Sequence, residues 1–313
     1  MRHPEQRTDD FASAALVGLV HRVLAEAGLE LPSPVSTTGA LLPLTAKRDL
    51  LAGIARAHGL RPLLAAGGLL AQMPPDPAVA ALLASTGPAD LFARWSRLER
   101  FVHSRHRVVV CEIGEHHLVA EHVSLTDDPP RAFEDALILG VMAAVLTAIG
   151  AVGVTVRLGS DPGSPHVIDR GLTREPDAAW PTSTWRFEWH AVVPPAAEGQ
   201  NRASDDVATT LRRLVAGDPA RTWTVKAAAA ALGLSGRSLQ RAHTPLGGFA
   251  AFVAAVRAER AADLLINADH PLSIVGFACG YADQPHFTRE FKRRTAMTPA
   301  AYRHAFAKSR SAA

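Results

Sequence analysis

The feature that most constrains the fold is an internal duplication in the last third of the chain. Residues 224–241 and 271–294 each read as a short apolar helix, a glycine turn and a second helix that carries cations. Ala229 and Gly233 in the first copy correspond to Gly276 and Gly280 in the second, at the same separation. Small residues let two helices approach closely, and glycine accepts a left-handed turn. The duplication predicts two helix-turn-helix units.

The second helix of each unit has one apolar side and one polar side. In the first copy Ser235 can cap this helix and Leu239 can anchor it, while in the second Asp283 is the predicted cap and two phenylalanines form the buried side. The side chains predicted to face outward are those suited to reading DNA, because guanidinium groups bind guanine and phosphate. They are Arg237, Ser238, Gln240 and Arg241 in the first helix, and Gln284, Pro285, Thr288, Arg289, Lys292 and Arg293 in the second.

A single long helix is predicted between the two units. Residues 249–266 would span about 27 Å as a helix, close to the roughly 34 Å between successive major-groove faces on one side of DNA. Such a rod sets two DNA-reading helices about one turn of DNA apart. The pattern therefore favours a domain that binds two adjacent major-groove segments of double-stranded DNA.

The charge is divided unevenly along the chain. Residues 204–313 contain 15 Lys and Arg against 8 Asp and Glu, a net charge of +7, whereas residues 1–203 have a net charge of −4. A basic domain on an acidic body is typical of a protein that binds a polyanion, since neutralising phosphates releases counterions. A basic solvated face with no partner would give the same count.

Four segments together carry a resemblance to a known family: LGLSGRSLQR, VRAERAADLLI, GYADQPHFTREFKR and the closing MTPAAYR. On these segments residues 205–308 resemble the DNA-binding domain of AraC-family transcription regulators. The resemblance implies promoter DNA and RNA polymerase as partners, and activation rather than repression. It also places Arg237, Gln240, Arg241, Gln284, Pro285, Thr288 and Arg289 at the DNA. The stretch with Pro245 is one residue shorter than the family's pattern, so the first DNA-reading helix is expected to end early.

The first two hundred residues predict a mixed α and β fold. Helices are expected at residues 11–29, after Thr45, from Pro88 and from about Arg131, with strands from Arg107, from His117, at 152–158 and at 184–193. The predicted fold class is thus an α+β N-terminal domain followed by an all-α double helix-turn-helix domain. The predicted boundaries are residues 1–194, a linker at 195–204, the DNA-binding domain at 205–308 and a tail at 309–313.

One uncharged stretch, residues 136–156, is long enough to cross a bilayer. Glycines interrupt it and its apolar spacing changes from helical to strand-like, so a buried helix followed by a core strand is the better interpretation. The N-terminus lacks the pattern of a secretory signal. Location in the cytoplasm, with no membrane partner, is the expectation.

The N-terminal domain is expected to bind a small-molecule effector, to form a homodimer, or both. Its order of helices and strands resembles the arabinose-binding-like domain of one branch of the family. An apolar core of this kind could enclose an apolar or carboxylic-acid ligand, although any fold needs such a core. A domain that only dimerises stays open as an alternative.

Histidine and cysteine give little sign of catalysis or metal binding. His103 and His106 could pair on a helix end, but His116, His117 and His122 are not expected to join them, so no metal, cofactor or catalytic residue is predicted. Cys111 is expected to be an inert residue of a buried strand. The alternative is a DNA-binding enzyme with a reactive cysteine, as in Ada-type repair regulators, yet Cys111 has no context that would activate it.

Overall fold

The computed structural model describes residues 10–30, 41–72, 77–193, 207–243 and 248–306. They divide into two compact units. The N-terminal unit comprises the described residues up to 72 together with 86–193, and the C-terminal unit comprises residues 77–85, 207–243 and 248–306. The predicted linker at 195–204, Pro245 and the tail at 309–313 lie outside the described residues.

The N-terminal unit begins with helices. After a short strand β1 (Phe11–Ser13), its helices are α1 (Ala14–Glu26), α2 (Leu44–His58), α3 (Arg61–Leu64), a 3-10 helix (Ala66–Gln72), α5 (Pro88–Val102) and α6 (Ala132–Ala148), and β2 (Leu41–Pro43) pairs with β1. Pro88 starts α5 as predicted, because proline at the first helical position loses no intrahelical hydrogen bond. Leu91, Trp95, Leu98 and Val102 form its buried stripe.

A six-stranded antiparallel sheet forms the second layer of this unit. Its strand order is β3 (His106–Ile113), β4 (His117–Ser124), β9 (Thr184–Glu188), β6 (Thr155–Leu158), β7 (His166–Asp169) and β8 (Leu172–Thr173). A separate two-stranded pair joins β5 (Ala151–Val152) to β10 (Ala191–Val192). Strands β3 and β4 form the predicted hairpin, closed where the amide of Gly114 donates to the carbonyl of His117 at 2.9 Å. β3 therefore lies at one end of the sheet.

Helix α6 is the most deeply buried helix of the N-terminal unit. It is apolar on nearly all sides and is buried from Glu134 to Ala143, which explains the uncharged stretch in the sequence. The strand predicted at 152–158 is divided in the structure into β5 and β6, which belong to different sheets and are separated at Gly153, where φ is 69°. Across the described ranges, no helix combines the length and apolarity needed to cross a bilayer.

The C-terminal unit is helical throughout the residues described. Its helices are α4 (Pro77–Leu83), α7 (Val207–Gly217), α8 (Val225–Leu232), α9 (Gly236–His243), α10 (Phe249–Asn267), α11 (Leu272–Ala278), α12 (Gln284–Thr295) and α13 (Pro299–Phe306). The predicted fold class, α+β followed by an all-helical region, is confirmed.

Helix α4 belongs to a different unit from the one that the predicted domain boundaries gave it. Although it precedes α5 in the sequence, it packs against α11 and belongs to the C-terminal unit. Ala78, Ala81 and Leu82 are buried there. A helix composed of PAVAALL is apolar on every side, so it is stable only where other elements cover it.

Helix α10 is the central rod of the C-terminal unit. Its 19 residues span about 28 Å. Its buried side chains Phe252, Val253 and Val256 pack with Leu211 and Val215 of α7 and with Leu239 of α9. The same helix contacts α11, α12 and α13 of the second region. One continuous helix thus supports both units, as the sequence predicted.

Candidate nucleic-acid interface

The first helix-turn-helix unit consists of α8 and α9. Thr224 caps α8 by accepting a hydrogen bond from the amide of Ala227 at 3.1 Å, and Gly233 ends that helix in the left-handed conformation with φ 67°. Ser235 then accepts from the amide of Ser238 at 3.1 Å, which makes it the predicted cap of α9. Leu239 is fully buried, so the helix is fixed with its opposite side outward.

The second unit, α11 and α12, repeats this arrangement with aromatic packing. Asp283 caps α12 by accepting from the amide of His286 at 2.7 Å. Phe287 and Phe291 are fully buried, with ring centroids 5.7 Å apart, and Phe287 also lies 4.8 Å from the ring of Tyr281. Aromatic pairs at this separation stabilise the core beyond their burial. The buried side predicted for α12 is the one observed.

Most of the predicted DNA-facing side chains lie on the outer surface of their helices. The exposed residues are Arg237 and Gln240 in α9, and Pro285, Arg289, Lys292 and Arg293 in α12; Ser238, Gln284 and Thr288 are half-buried. Arg241 lies within α9, but its side chain is outside the described part of the structure. The structure therefore brings the predicted residues together in two outward-facing sets, one for each unit.

The cations of α12 differ in their electrostatic partners. Arg293 forms an ion pair with Glu290, whose carboxylate lies 2.7 Å away, and this pairing lowers the pKa of Glu290 below its usual value. Within the described residues, Arg289 and Lys292 form no such pair. In α9, the hydroxyl of Ser238 is likewise already hydrogen-bonded, since it lies 2.8 Å from the hydroxyl of Ser235. Arg289 and Lys292 are the cations of α12 most available to an external anion.

Several other cations of the basic region are structural. Arg257 of α10 donates to the carbonyls of Pro219 and Arg221, each at 3.0 Å, and burial lowers its pKa. Arg294 donates to the carbonyl of Ala251 at 3.3 Å. The excess of positive charge in the sequence therefore overstates the number of cations available to DNA.

Sequence reasoning missed one cation beside the first set. A surface groove of about 570 Å³ runs between α8 and α9, and Lys226, Arg237 and Gln240 line it. Lys226 is exposed on the first turn of α8. The signal that could have indicated Lys226 is its position two residues after the Thr224 cap. This is the N-terminal end of α8, where the helix dipole is positive and favours an anion such as a phosphate.

The comparison with protein families identifies the region. The profile of a family described as "Helix-turn-helix domain" matches residues 228–305. Residues 228–305 of the C-terminal unit form an AraC-type helix-turn-helix domain. The match does not extend to the N-terminal unit, so the predicted arabinose-binding-like resemblance stays a prediction. No curated protein matches the chain significantly.

Solved structures similar to the chain include transcription and response regulators. A transcriptional regulator with an AraC-type DNA-binding domain from Chromobacterium violaceum is 25% identical, with a TM-score of 0.31 over 33% of this chain and 94% of that one. The C-terminal domain of the response regulator AraT from Geobacillus stearothermophilus is 24% identical, with a TM-score of 0.32 over 35% and 93%. The transcriptional regulator CdpR from Pseudomonas aeruginosa is 15% identical, with a TM-score of 0.34 over 92% and 97%.

Outside the AraC-type domain, the N-terminal unit contains a buried histidine cluster that the sequence did not predict. His106 stacks on His103 with ring centroids 4.9 Å apart, and His122 lies against His106 at 5.3 Å. The expectation that His122 would not join the other two is therefore wrong. It failed because β4 pairs with β3 in a register that brings His122 opposite Val108, close to the start of β3.

His103, His106 and Glu134 each offer one possible ligand atom, and these atoms lie within 4.8 Å of one another. Nδ1 of His103 accepts from the amide of His106 at 3.1 Å. Nε2 of His106 faces Nη2 of Arg48 at 3.3 Å, and a guanidinium can only donate. A metal-binding imidazole usually donates through its second nitrogen, whereas in both rings that nitrogen accepts. Arg48 also forms an ion pair with Glu134, whose carboxylate lies 3.1 Å from its Nε. The hydrogen bonding therefore favours a buried cluster in which Glu134 pairs with Arg48 over a metal site.

The two cysteines do not support the reactive-cysteine alternative. Cys111 is exposed, which corrects the expectation of a buried residue: β3 is the end strand of the sheet, and its pairing with β4 shifts at this position. Partial desolvation of the thiol and the nearby Glu121 carboxylate raise the pKa of Cys111. Burial raises the pKa of Cys279 to about 12. A nucleophilic cysteine needs a lowered pKa, so neither thiol is activated.

Proposed function

We propose that this protein is a sequence-specific transcription regulator that binds two adjacent major-groove segments of promoter DNA. The observation that carries the proposal is the pair of helices α9 and α12, each capped at its start, anchored on its buried side and exposed on its cationic side. Both pack on the continuous helix α10, so that their separation is fixed. This is the geometry that major-groove reading by helices requires.

The side chains suggest a division of roles within the interface. Arg237 and Arg289 are exposed and can donate two parallel hydrogen bonds to guanine, the commonest specific contact in the major groove. Lys292 is a compact point charge suited to phosphate. Gln240 and Gln284 can donate to and accept from adenine. Lys226 adds a further cation beside the first set.

The remaining roles follow from the family to which the C-terminal unit belongs. We propose activation through contact with RNA polymerase, an effector or a second copy of the chain bound by the N-terminal unit, and no cofactor. The protein would act in the compartment that holds the DNA, the cytoplasm in a bacterium. A regulator whose N-terminal unit only dimerises is the alternative, and titration of candidate ligands against the full chain separates the two.

Selection from a random pool of DNA duplexes tests the proposal directly. The full chain should enrich a sequence with two conserved blocks about one turn of DNA apart. The double variant Arg237→Ala with Arg289→Ala should lose this enrichment. The matched control is Arg170→Ala, an exposed arginine of the N-terminal unit, which should enrich the same sequence as the wild type. Absence of any enriched sequence, or the same sequence with the double variant, would refute the proposal.

A further inference from the structure

A surface groove of about 470 Å³ runs between helix α5 and strand β3 of the N-terminal unit. Its floor is apolar and buried, formed by Phe92, Val108 and Leu118. Its volume lies within the range of small-molecule sites, about 300–1,000 Å³. Every lining residue belongs to α5, β3 or β4, so the groove is formed within this unit alone.

The groove stays open because its helix side is made of small residues and its strand side has no neighbour. Ala89, Ala93 and Ser96 line it from α5. On the other side β3 is the end strand of the sheet, and Val109, Val110 and Ile113 are 46%, 40% and 53% exposed. Exposed apolar side chains that line a concave surface are a feature of binding sites.

Two arginines, Arg100 of α5 and Arg107 of β3, also line this groove. Neither forms an ion pair with a carboxylate of the described residues. Burial lowers the pKa of Arg107, the Glu99 carboxylate opposes this, and the nearby Arg100 lowers it further. One Nη atom of Arg107 donates to the carbonyls of His103 and His106, at 2.9 and 2.6 Å, and holds the guanidinium in place.

The Glu99 carboxylate interacts electrostatically with Arg107 but forms no ion pair with either arginine. Glu99 is buried, and its oxygens accept hydrogen bonds from the amide of Val108 at 3.0 Å and from Nε1 of Trp95 at 2.8 Å. The Glu99 carboxylate is thus already hydrogen-bonded to two groups of the unit itself. The groove therefore joins an apolar surface to two guanidinium groups that form no ion pair with a carboxylate of the described residues.

We propose that this groove binds an apolar carboxylic acid, with its hydrocarbon part along Phe92, Val109 and Val110 and its carboxylate on Arg100 and Arg107. Arginine is suited to this role because its planar fork binds both oxygens of a carboxylate. The inference deepens the proposed function by naming the chemical class of the effector, and its role in regulation rests on that function. Binding itself does not.

Calorimetric titration of the full chain with octanoate tests the site. Octanoate should bind with one-to-one stoichiometry, and 1-octanol and octylamine, which keep the hydrocarbon and replace the anionic head, should bind at least about tenfold more weakly, since charge-assisted hydrogen bonds are lost. Equal binding of octanoate and 1-octanol would overturn the assignment of the arginines. Absence of octanoate binding would overturn the proposal.

Two variants locate the binding. Arg100→Gln should weaken octanoate binding at least about tenfold. It should not unfold the chain, because Arg100 is exposed. Val110→Trp should fill the groove and abolish binding, whereas Leu172→Trp, at the opposite end of the sheet and 77% exposed, should bind as the wild type does. Unchanged binding by Val110→Trp would place the ligand elsewhere and refute the site.

The same variants distinguish this inference from the proposed function. Light scattering reveals whether the groove instead holds a second copy of the chain: self-association that Val110→Trp abolishes, with no octanoate binding, overturns the ligand proposal. DNA binding is measured in parallel on the selected duplex. Octanoate binding without DNA binding would refute the proposed function alone, and the reverse would refute the inference alone.

Discussion

Gly280 repeats the left-handed backbone of Gly233 at the equivalent turn, with φ 79° against 67°, but only Gly280 is in close contact with neighbouring backbone. A Cβ atom at Gly280 would lie 2.2 Å from the carbonyl oxygen of Pro219 and 2.9 Å from the guanidinium of Arg257. At Gly233 no atom would lie within 4 Å. The duplicated turns therefore share a conformation but differ in packing.

This difference predicts unequal effects of the same substitution. Gly233→Ala should destabilise the C-terminal unit by about 1 kcal/mol, the cost of a left-handed backbone for a residue with a side chain. Gly280→Ala should cost the same backbone term and about 1–3 kcal/mol more from overpacking. The added methyl group would meet the backbone carbonyl of Pro219, which cannot move aside as a flexible side chain can. Hydrogen exchange of the full chain reports each unit separately. Equal losses at the two turns would contradict the packing at Gly280.

Arg289 and Arg293 should contribute differently to DNA recognition. Arg289→Ala should cost about 1–3 kcal/mol on the selected duplex and relax one base preference. Arg293→Ala should cost less, since Glu290 already pairs with Arg293 and partly neutralises it. Fluorescence anisotropy with the selected and a scrambled duplex measures both. Equal weakening of Arg289→Ala on the two duplexes would instead make Arg289 a phosphate contact.

Lys292 should act through charge alone. Lys292→Ala should reduce the slope of log affinity against log salt by about one unit and leave the sequence preference unchanged. Titrations of the selected duplex at several salt concentrations give the slope. Lys292→Arg, which keeps the charge, is the control and should retain the wild-type slope; a slope unchanged by Lys292→Ala would exclude Lys292 from the phosphate contacts.

Lys47 should make the stability of the N-terminal unit depend on pH. Its side chain is buried beside His103, with Nζ 3.5 Å from Nε2, and burial lowers its pKa to about 8. Between about pH 8 and the ordinary lysine pKa near 10.5 the unfolded chain holds a proton that the folded chain has released, so stability rises with pH across this window. The gain is on the order of 3 kcal/mol.

Lys47→Met removes the titrating group at similar length. The variant should be more stable than the wild type at pH 7, where the wild type carries the buried charge, and this advantage should shrink toward pH 10.5. Thermal melting of both proteins at several pH values measures the difference. An advantage that stays constant with pH would show that Lys47 is not held with a lowered pKa.

The C-terminal unit could be predicted closely from its sequence because its signals are local. Gly233 and Gly280 mark the turns, Ser235 and Asp283 lie directly before the helices that they cap, and Phe287 and Phe291 are four residues apart. Each signal acts within one or two turns of helix. The sequence predicts helices over 225–232 and 272–278, and α8 (Val225–Leu232) and α11 (Leu272–Ala278) have these bounds.

The fold of the N-terminal unit depends on contacts between residues that are distant in the sequence. The sequence therefore predicted this fold only in outline. His103 directly follows α5, His106 and His122 lie in β3 and β4, and Glu134 lies in α6. Only the strand register and the packing of α6 bring these four residues together. The exposure of Cys111 depends on the place of β3 in the sheet, which no local pattern encodes. The membership of α4 in the C-terminal unit likewise required the three-dimensional structure.

The continuity of α10 has a consequence for how a binding sequence can evolve. One unbroken helix, α10 from Phe249 to Asn267, lies between the two helix-turn-helix units. Insertion of a single residue into α10 would therefore rotate one unit by about 100° relative to the other. A single extra base pair between two half-sites would similarly rotate them by about 35° around the duplex. A change in the length of α10 would thus require a matching change in the spacing of the half-sites. A regulator with such a continuous helix would retain its half-site spacing even as its base preferences diverge.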